Sequence, residues 1–379
     1  MADNDATFRP SSLNIIYSSK TSSIKKSGIA NVEFKNWAET FDCKPELFFA
    51  PKTQEEVAEI LELARDEHKK VRVVGCRHSP SDIACTSGFM ISLLNFNKIL
   101  EIDKNKRQVK VQAGMTLGDL NDSIYSHNLA LPVQGSISSI TVGGAISVAT
   151  HGTGIEFGSI SSSVTEMDLM LSNGSILTVS SDKDLELFQA ALCSLGSFGI
   201  ILNVTFQCEP AFNLLLRQYG LPLKDVIENL DVHISGSDHF RFMWFPYTDS
   251  VVVSHATRTE LPATKDTWFR KIWTYCWDYG VGTYLPHVVP YINRFFYMTH
   301  SAFSRKIDRS YRILNFECLF KQYVNEWAIP LEKTGVVLWQ LREWVETIPD
   351  LYVHFPVEVR FSKADNIFLS PALVETHVT

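Results

Sequence analysis

The chain has 379 residues, 45% of them hydrophobic, and a formal net charge of -7. That length exceeds what a single core normally serves, so two domains are expected, and the acidic balance removes the electrostatic case for nucleic-acid binding. Seven cysteines, at 43, 76, 85, 193, 208, 276 and 318, form an odd set with no CxxC pair. This argues for reduced thiols in a reducing compartment and against a disulfide framework or a zinc site.

Residues 1–30 are Ser-rich and carry Asp3 and Asp5 ahead of any apolar run, unlike a secretory leader. The segment 53–69 places Val57, Ile60, Leu61 and Ala64 at helical spacing, with Thr53 and Glu56 set as a capping box. The β-branched run 71–74 reads as a buried strand, so a βαβ unit opens the first domain. Strand-like stretches at 89–94 and 108–113 precede a helix near 117–127. Further strands at 167–171, 176–179 and 200–208 accompany a helix at 184–192. This mixed order predicts an α+β architecture rather than a regular doubly wound sheet, and no internal repeat is evident.

Four stretches carry candidate chemistry. Gly75 ends the first strand, and the backbone N–H groups from Gly75 to Ser79 can form a nest for a pyrophosphate without any lysine. Pro80 then closes the turn. Taken alone, this loop reads first as a surface turn in which His78 is merely polar, since a short glycine turn is a weak motif. From 123 to 155 there is no Asp, Glu, Lys or Arg, and Ser, Thr and Gly dominate. Pro132 and Gly143-Gly144 interrupt it too much for a membrane helix. Small residues admit a planar ligand closely and hydroxyls bond to phosphate and ring edges, so the stretch reads as a ligand-lining wall; the alternative is an ordinary Gly/Ser-rich connection. Between 268 and 300 lie Trp268, Phe269, Trp273, Tyr275, Trp277, Tyr279, Tyr284, Tyr291, Phe295, Phe296 and Tyr297. The uncharged part of this region, 279–293, is too short and too proline-interrupted to span a bilayer, which leaves interfacial contact, partner docking and core packing open. Finally, Glu358 and Arg360 stand two apart in a strand-like run and so share a face. They read either as a surface ion pair or as a carboxylate and guanidinium placed for proton and oxyanion chemistry.

GCRHS at 75–79 and GSISSITVGGAISVATHGTG at 135–154 are followed in order by LGSFGIILNVTFQC, HFRFMWFPYTDSV, YINRFF, ECLFKQYVNEWAIP and FPVEVRFSKADNIFLSP. Together they resemble the aldonolactone oxidases, a branch of the vanillyl-alcohol-oxidase type of flavoproteins. The resemblance implies an N-terminal extension at 1–35, a two-subdomain PCMH-type FAD-binding domain at 36–210 and an α+β substrate-binding cap at 211–379. It implies that Val73, Val74, Gly75, Cys76, Arg77, His78 and Ser79 hold the FAD pyrophosphate, with His78 bonded covalently to the flavin. Gly135, Ser136, Thr141, Gly144, Ala149, Thr150, His151 and the backbone at Ile200 or Ile201 complete the cofactor site. Glu358 and Arg360 become the catalytic pair.

The implied reaction is oxidation of D-arabinono-1,4-lactone or L-gulono-1,4-lactone at the 2-hydroxyl, with dioxygen reduced to hydrogen peroxide, in ascorbate or erythroascorbate biosynthesis. An intracellular location with peripheral attachment to mitochondrial or endoplasmic-reticulum membranes is implied in the same way. Plant lactone dehydrogenases, which react poorly with dioxygen, have alanine at the position of Gly135 and leucine at that of His78. Those two residues therefore favour an oxidase over a dehydrogenase with another acceptor. Two departures stand out. Arg77 replaces the glycine of the family's GGGHS or GSGHS loop, which puts the loop's shape in question. The family also continues past the equivalent of Thr379 with a His-Trp-x-Lys segment that returns to the flavin. An incomplete cap with exposed sheet edges is therefore expected, and with it the alternative of a flavin-binding chain without activity.

Overall fold

The computed structural model describes residues 19–264, 285–315, 321–373 and 377–379. The strands Leu47–Phe49 and Val71–Val74 flank Phe89–Ser92 in a three-stranded parallel sheet, and the helix Gln54–Asp66 makes the crossover expected of a βαβ unit. The Thr53 hydroxyl caps that helix by accepting from Glu56 N, while the Glu56 carboxylate turns back to Lys52 N rather than to the cap itself. Val57, Ile60, Leu63 and Ala64 pack against Phe49, Phe89 and Ile91. The run Val71–Val74 departs from expectation: Arg72 and Val73 are exposed and only Val74 is buried. β-branched residues suit any pleated surface, and this strand lines a cavity rather than filling a core.

A five-stranded antiparallel sheet follows, in the order Ile176–Ser180, Val164–Met170, Ile200–Gln207, Gln108–Gln112 and Ile99–Asp103. Its Met170, Ile200 and Leu202 enter the core of the parallel sheet and join the two subdomains. The uncharged stretch is not simply a loop. It contains a short helix, Val142–Ser147, whose Thr141 cap accepts from Gly144 N at 3.3 Å. Gly143 N donates to Ala113 O at 2.8 Å, a close approach of helix to sheet end that leaves a Cβ only 3.0 Å from the Ala113 methyl.

Beyond Pro210 the chain builds a seven-stranded antiparallel sheet, ordered Ser304–Arg309, Asn213–Pro222, Ser250–Thr259, His239–Trp244, Val357–Ser362, His377–Val378 and Ile329–Pro330. Phe240, Phe242, Trp244, Val253 and Phe361 line one face, where Leu338 of the helix Thr334–Thr347 covers them. The strand Val357–Ser362 lies inside the sheet, whose edges are Ser304–Arg309 and Ile329–Pro330. Thr379 N donates to Arg360 O at 2.8 Å, so it is paired on both sides. Of the aromatic stretch, Trp268, Phe269, Trp273, Tyr275, Trp277, Tyr279 and Tyr284 lie outside the described residues, as do Cys276 and Cys318. The helix Val289–His300 buries Asn293 and Phe296 but leaves Tyr291, Phe295 and Met298 exposed at helical spacing. Among the described residues no helix is long and apolar enough to cross a membrane.

Candidate active site

A cavity of about 1020 Å³ lies where the two sheets of the first half meet the cap sheet. The runs 73–79 and 149–151, with Ser136, Thr141, Gly144, Ile200, Ile201, Glu358 and Arg360, all contribute to its wall. Gly135 does not. It is buried one residue behind the wall, and its carbonyl accepts from Asn315 Nδ2 at 2.8 Å. A Cβ on Gly135 would stand 2.7 Å from Thr150 Cγ2, so this position can influence the cavity only by displacing Thr150.

The loop after the first strand is tight. A Cβ on Gly75 would fall 2.1 Å from Thr141 Oγ1, the atom that caps the Val142–Ser147 helix. Arg77 takes a φ of 67°, the left-handed region that glycine enters without penalty and other residues enter at a cost of about 1 kcal/mol. The glycine-rich loop shape is thus compatible with arginine, at the expense of strain. Asn36, buried in the preceding hairpin, holds the loop from behind by donating to Ser79 O at 3.1 Å, and Trp37 N donates to Arg77 O at 2.7 Å. The His78 ring stacks on Trp37 at 5.3 Å, and its Nε2 is 3.0 Å from Ser139 Oγ. His78 therefore joins the two small-residue stretches. Burial pushes the Cys76 thiol above its ordinary range, which leaves it a wall group rather than a nucleophile.

The opposite wall is made of charge. Phe240, Phe242 and Trp244 point into the core, so Arg241 and Met243 share the other face; Glu358 and Arg360 share it too, across from them. Arg241 and Arg360 are direct cross-strand partners, a placement of like charges that needs compensation. Two carboxylates supply it. Arg241 Nη1 donates to Glu358 Oε1 at 2.9 Å, and Arg360 Nη2 donates to Glu326 Oε2 at 2.7 Å. Glu326 Oε1 in turn meets His151 Nε2 at 2.6 Å. Burial opposes ionisation of Glu326, yet the hydrogen bond from His151 and the charge of Arg360 outweigh it and hold the carboxyl down at about 2. The result is an alternating row, Arg241, Glu358, Arg360 and Glu326, of which the last three line the cavity, and Glu326 links it to the His151 ring of the other wall.

Sequence reasoning reached His151, Glu358 and Arg360 but not the groups that hold them. Asn36, Trp37, Ser139, Arg241 and Glu326 were missed. Arg241 was legible as a charge in the alternation HFRFMW, on the opposite face from its phenylalanines. Glu326 had no local signal, because its segment pairs with nothing nearby in sequence.

The wall suits FAD. It is long, with close-packed backbone and hydroxyls on one side, and its cations stand on both sides, Arg72 and Arg77 on the loop side and Arg360 on the strand side. Family models agree. Residues 45–180 match the FAD-binding domain model and residues 204–376 match the model described as D-arabinono-1,4-lactone oxidase. The chain is 44% identical to L-gulonolactone oxidase of Scyliorhinus torazame over 91% of its own length and 80% of that protein. It is 43% identical to the mouse (Mus musculus) L-gulonolactone oxidase over the same shares, and 34% identical to D-arabinono-1,4-lactone oxidase of Yarrowia lipolytica over 86% of this chain and 66% of that one. A solvent-stable cholesterol oxidase shares the fold with a TM-score of 0.73 at 17% identity, covering 90% of this chain and 74% of that one. The chain belongs to the aldonolactone oxidase family of flavoproteins, with an FAD-binding domain of PCMH type leading into the lactone-oxidase domain.

Proposed function

We propose that this protein oxidises an aldono-1,4-lactone at its 2-hydroxyl and reduces dioxygen to hydrogen peroxide, as a step in forming ascorbate or its five-carbon analogue. Relatives named as L-gulonolactone and D-arabinono-1,4-lactone oxidases support the substrate class. The observation that carries the reading is geometric. Glu358 and Arg360 stand side by side on one strand face, in the same cavity whose far wall is the 73–79 loop.

The loop 73–79 and the run 149–151 would hold FAD, which would supply a hydride acceptor for the lactone carbon and a route for the electrons to dioxygen. Arg360 is only 11% exposed, so its guanidinium binds lactone oxygens and stabilises negative charge growing on the reacting hydroxyl in a site largely shielded from water. Glu358 takes the hydroxyl proton, and Arg241 fixes the orientation of its carboxylate. His78, clamped by Trp37 and Ser139, is the residue we assign to covalent flavin attachment. We extend the proposal to peripheral membrane attachment through the exposed face of Tyr291, Phe295 and Met298.

The test is the visible spectrum of the purified protein, recorded without oxygen before and after adding either lactone. Bleaching of a flavin band followed by recovery in air is the expected result; a band that lactone leaves unchanged would overturn the assignment. Acid precipitation then reads the His78 bond, since yellow colour should stay with the protein pellet and be lost in His78→Ala. Cosedimentation with anionic phospholipid vesicles tests the membrane contact.

A further inference from the structure

The tight partner of Arg360 is not Glu358, which lies 3.9 Å from its Nε, but Glu326 at 2.7 Å. Its Nη1 meanwhile donates to the carbonyl oxygen of His151 at 3.3 Å. The head group is thus anchored on two nitrogens, which leaves the rest of its five N–H groups to a substrate. The same Glu326 carboxylate reaches the His151 ring, which belongs to the FAD-binding half. Glu326 is carried by an extended segment in which Gln322, Val324 and Glu326 line the cavity, whereas the alternate residues Tyr323 and Trp327 are 85% and 76% exposed. One half-exposed carboxylate therefore neutralises Arg360, which already faces Arg241 across the sheet, and ties it to the opposite wall.

We propose that Glu326 is a positioning residue for the oxidation, presenting the Arg360 guanidinium to the lactone and fixing it, through His151, relative to the flavin side of the cavity. This rests on the assignment of Arg360 to lactone binding. Removing the carboxylate leaves two donors, Arg360 Nη2 and His151 Nε2, aimed at a gap of carboxylate size. Such a gap accepts a small carboxylate ion, and return of turnover on filling it is a readout that a purely structural role would not give.

The experiment uses the flavin-loaded protein. Glu326→Ala should lower kcat/KM about tenfold to a hundredfold with flavin content unchanged, because a displaced substrate clamp costs that much. Formate should restore part of the rate in Glu326→Ala and raise its Tm, and do neither in the unaltered protein. A kcat/KM within twofold of the unaltered protein would overturn the proposal. So would a loss of rate that formate does not relieve even while it raises Tm, since that pattern describes an ion pair serving the fold alone. If Glu326→Ala does not fold, Glu326→Gln, which keeps the shape without the charge, takes its place. It should still lose kcat/KM, and unaltered turnover in it would equally sink the idea. Absence of lactone turnover in the unaltered protein would instead defeat the functional reading, while the formate-dependent Tm shift reads the carboxylate bridge without any turnover.

Discussion

From Val73 to His151 the cavity wall is mostly backbone, glycines, hydroxyls and aliphatic side chains, with Arg77 and His78 among them, and most of it comes from stretches close together in sequence. On the cap side the wall carries Glu326, Glu358 and Arg360, brought together from different segments, and Arg241 outside that wall bonds to a Glu358 that lies 117 residues further along the chain. The contrast follows from what each side handles. A long cofactor with a pyrophosphate is suited by close approach and backbone N–H groups, which a single tight loop can offer locally. A small reacting substrate needs a few charges placed to within fractions of an ångström, and rigid neighbouring strands hold side chains more precisely than one loop does.

That contrast makes substitutions on the two sides fail differently. The largest effect is expected at Gly75, where alanine would collide with Thr141 Oγ1 and disturb the helix cap as well. Overpacking and cap loss together cost about 2 to 4 kcal/mol, and Gly75→Ala should purify with little flavin, read as the ratio of flavin to protein absorbance. On the cap side, Arg360→Lys should keep its flavin and lose about a hundredfold in kcat/KM, since an ammonium cannot make the several directed bonds of the guanidinium. Equal flavin loss in both variants would erase the proposed division of labour.

Gly135 sharpens the comparison because it acts from behind the wall. Gly135→Ala should slow reoxidation of reduced flavin by dioxygen about tenfold while sparing reduction by lactone, with Thr150 as the displaced side chain. Stopped-flow traces of the two half-reactions separate these steps, and equal slowing of both would remove any specific link to oxygen. Arg77→Gly should do the opposite of Gly75→Ala and raise stability by about 1 kcal/mol, seen as a higher Tm, because its left-handed φ suits glycine.

The smallest effect concerns acid. Burial, with His233 and Arg217 adding to it, pushes His255 of the cap sheet down to about 4 from an ordinary 6.5. The unfolded chain therefore takes up this proton first, and stability is lost as pH falls from 6.5 towards 4. His255→Gln should flatten that decline, narrowing the Tm drop between pH 7 and pH 5 by about 2 °C. An unchanged slope would place the acid sensitivity elsewhere.

The sequence by itself determined the local elements and the tight loop after the first cavity strand. Apolar spacing produced the Gln54–Asp66 helix, and the strands at 108–112 and 200–207 formed within a residue or so of their expected bounds. The loop at 75–79 and the same-face pair Glu358 and Arg360 were legible for the same reason, since each depends on neighbours in the chain. Only the tertiary structure decided that the strand Val71–Val74 faces a cavity, that Gly135 stands behind the wall, and that Arg241 and Glu326 complete the charge row. Those outcomes depend on which sheet lies across from which, and on two like charges meeting on paired strands. Chain-local periodicity has no term for either, because the energies involved arise between segments that are distant in sequence and adjacent only once folded.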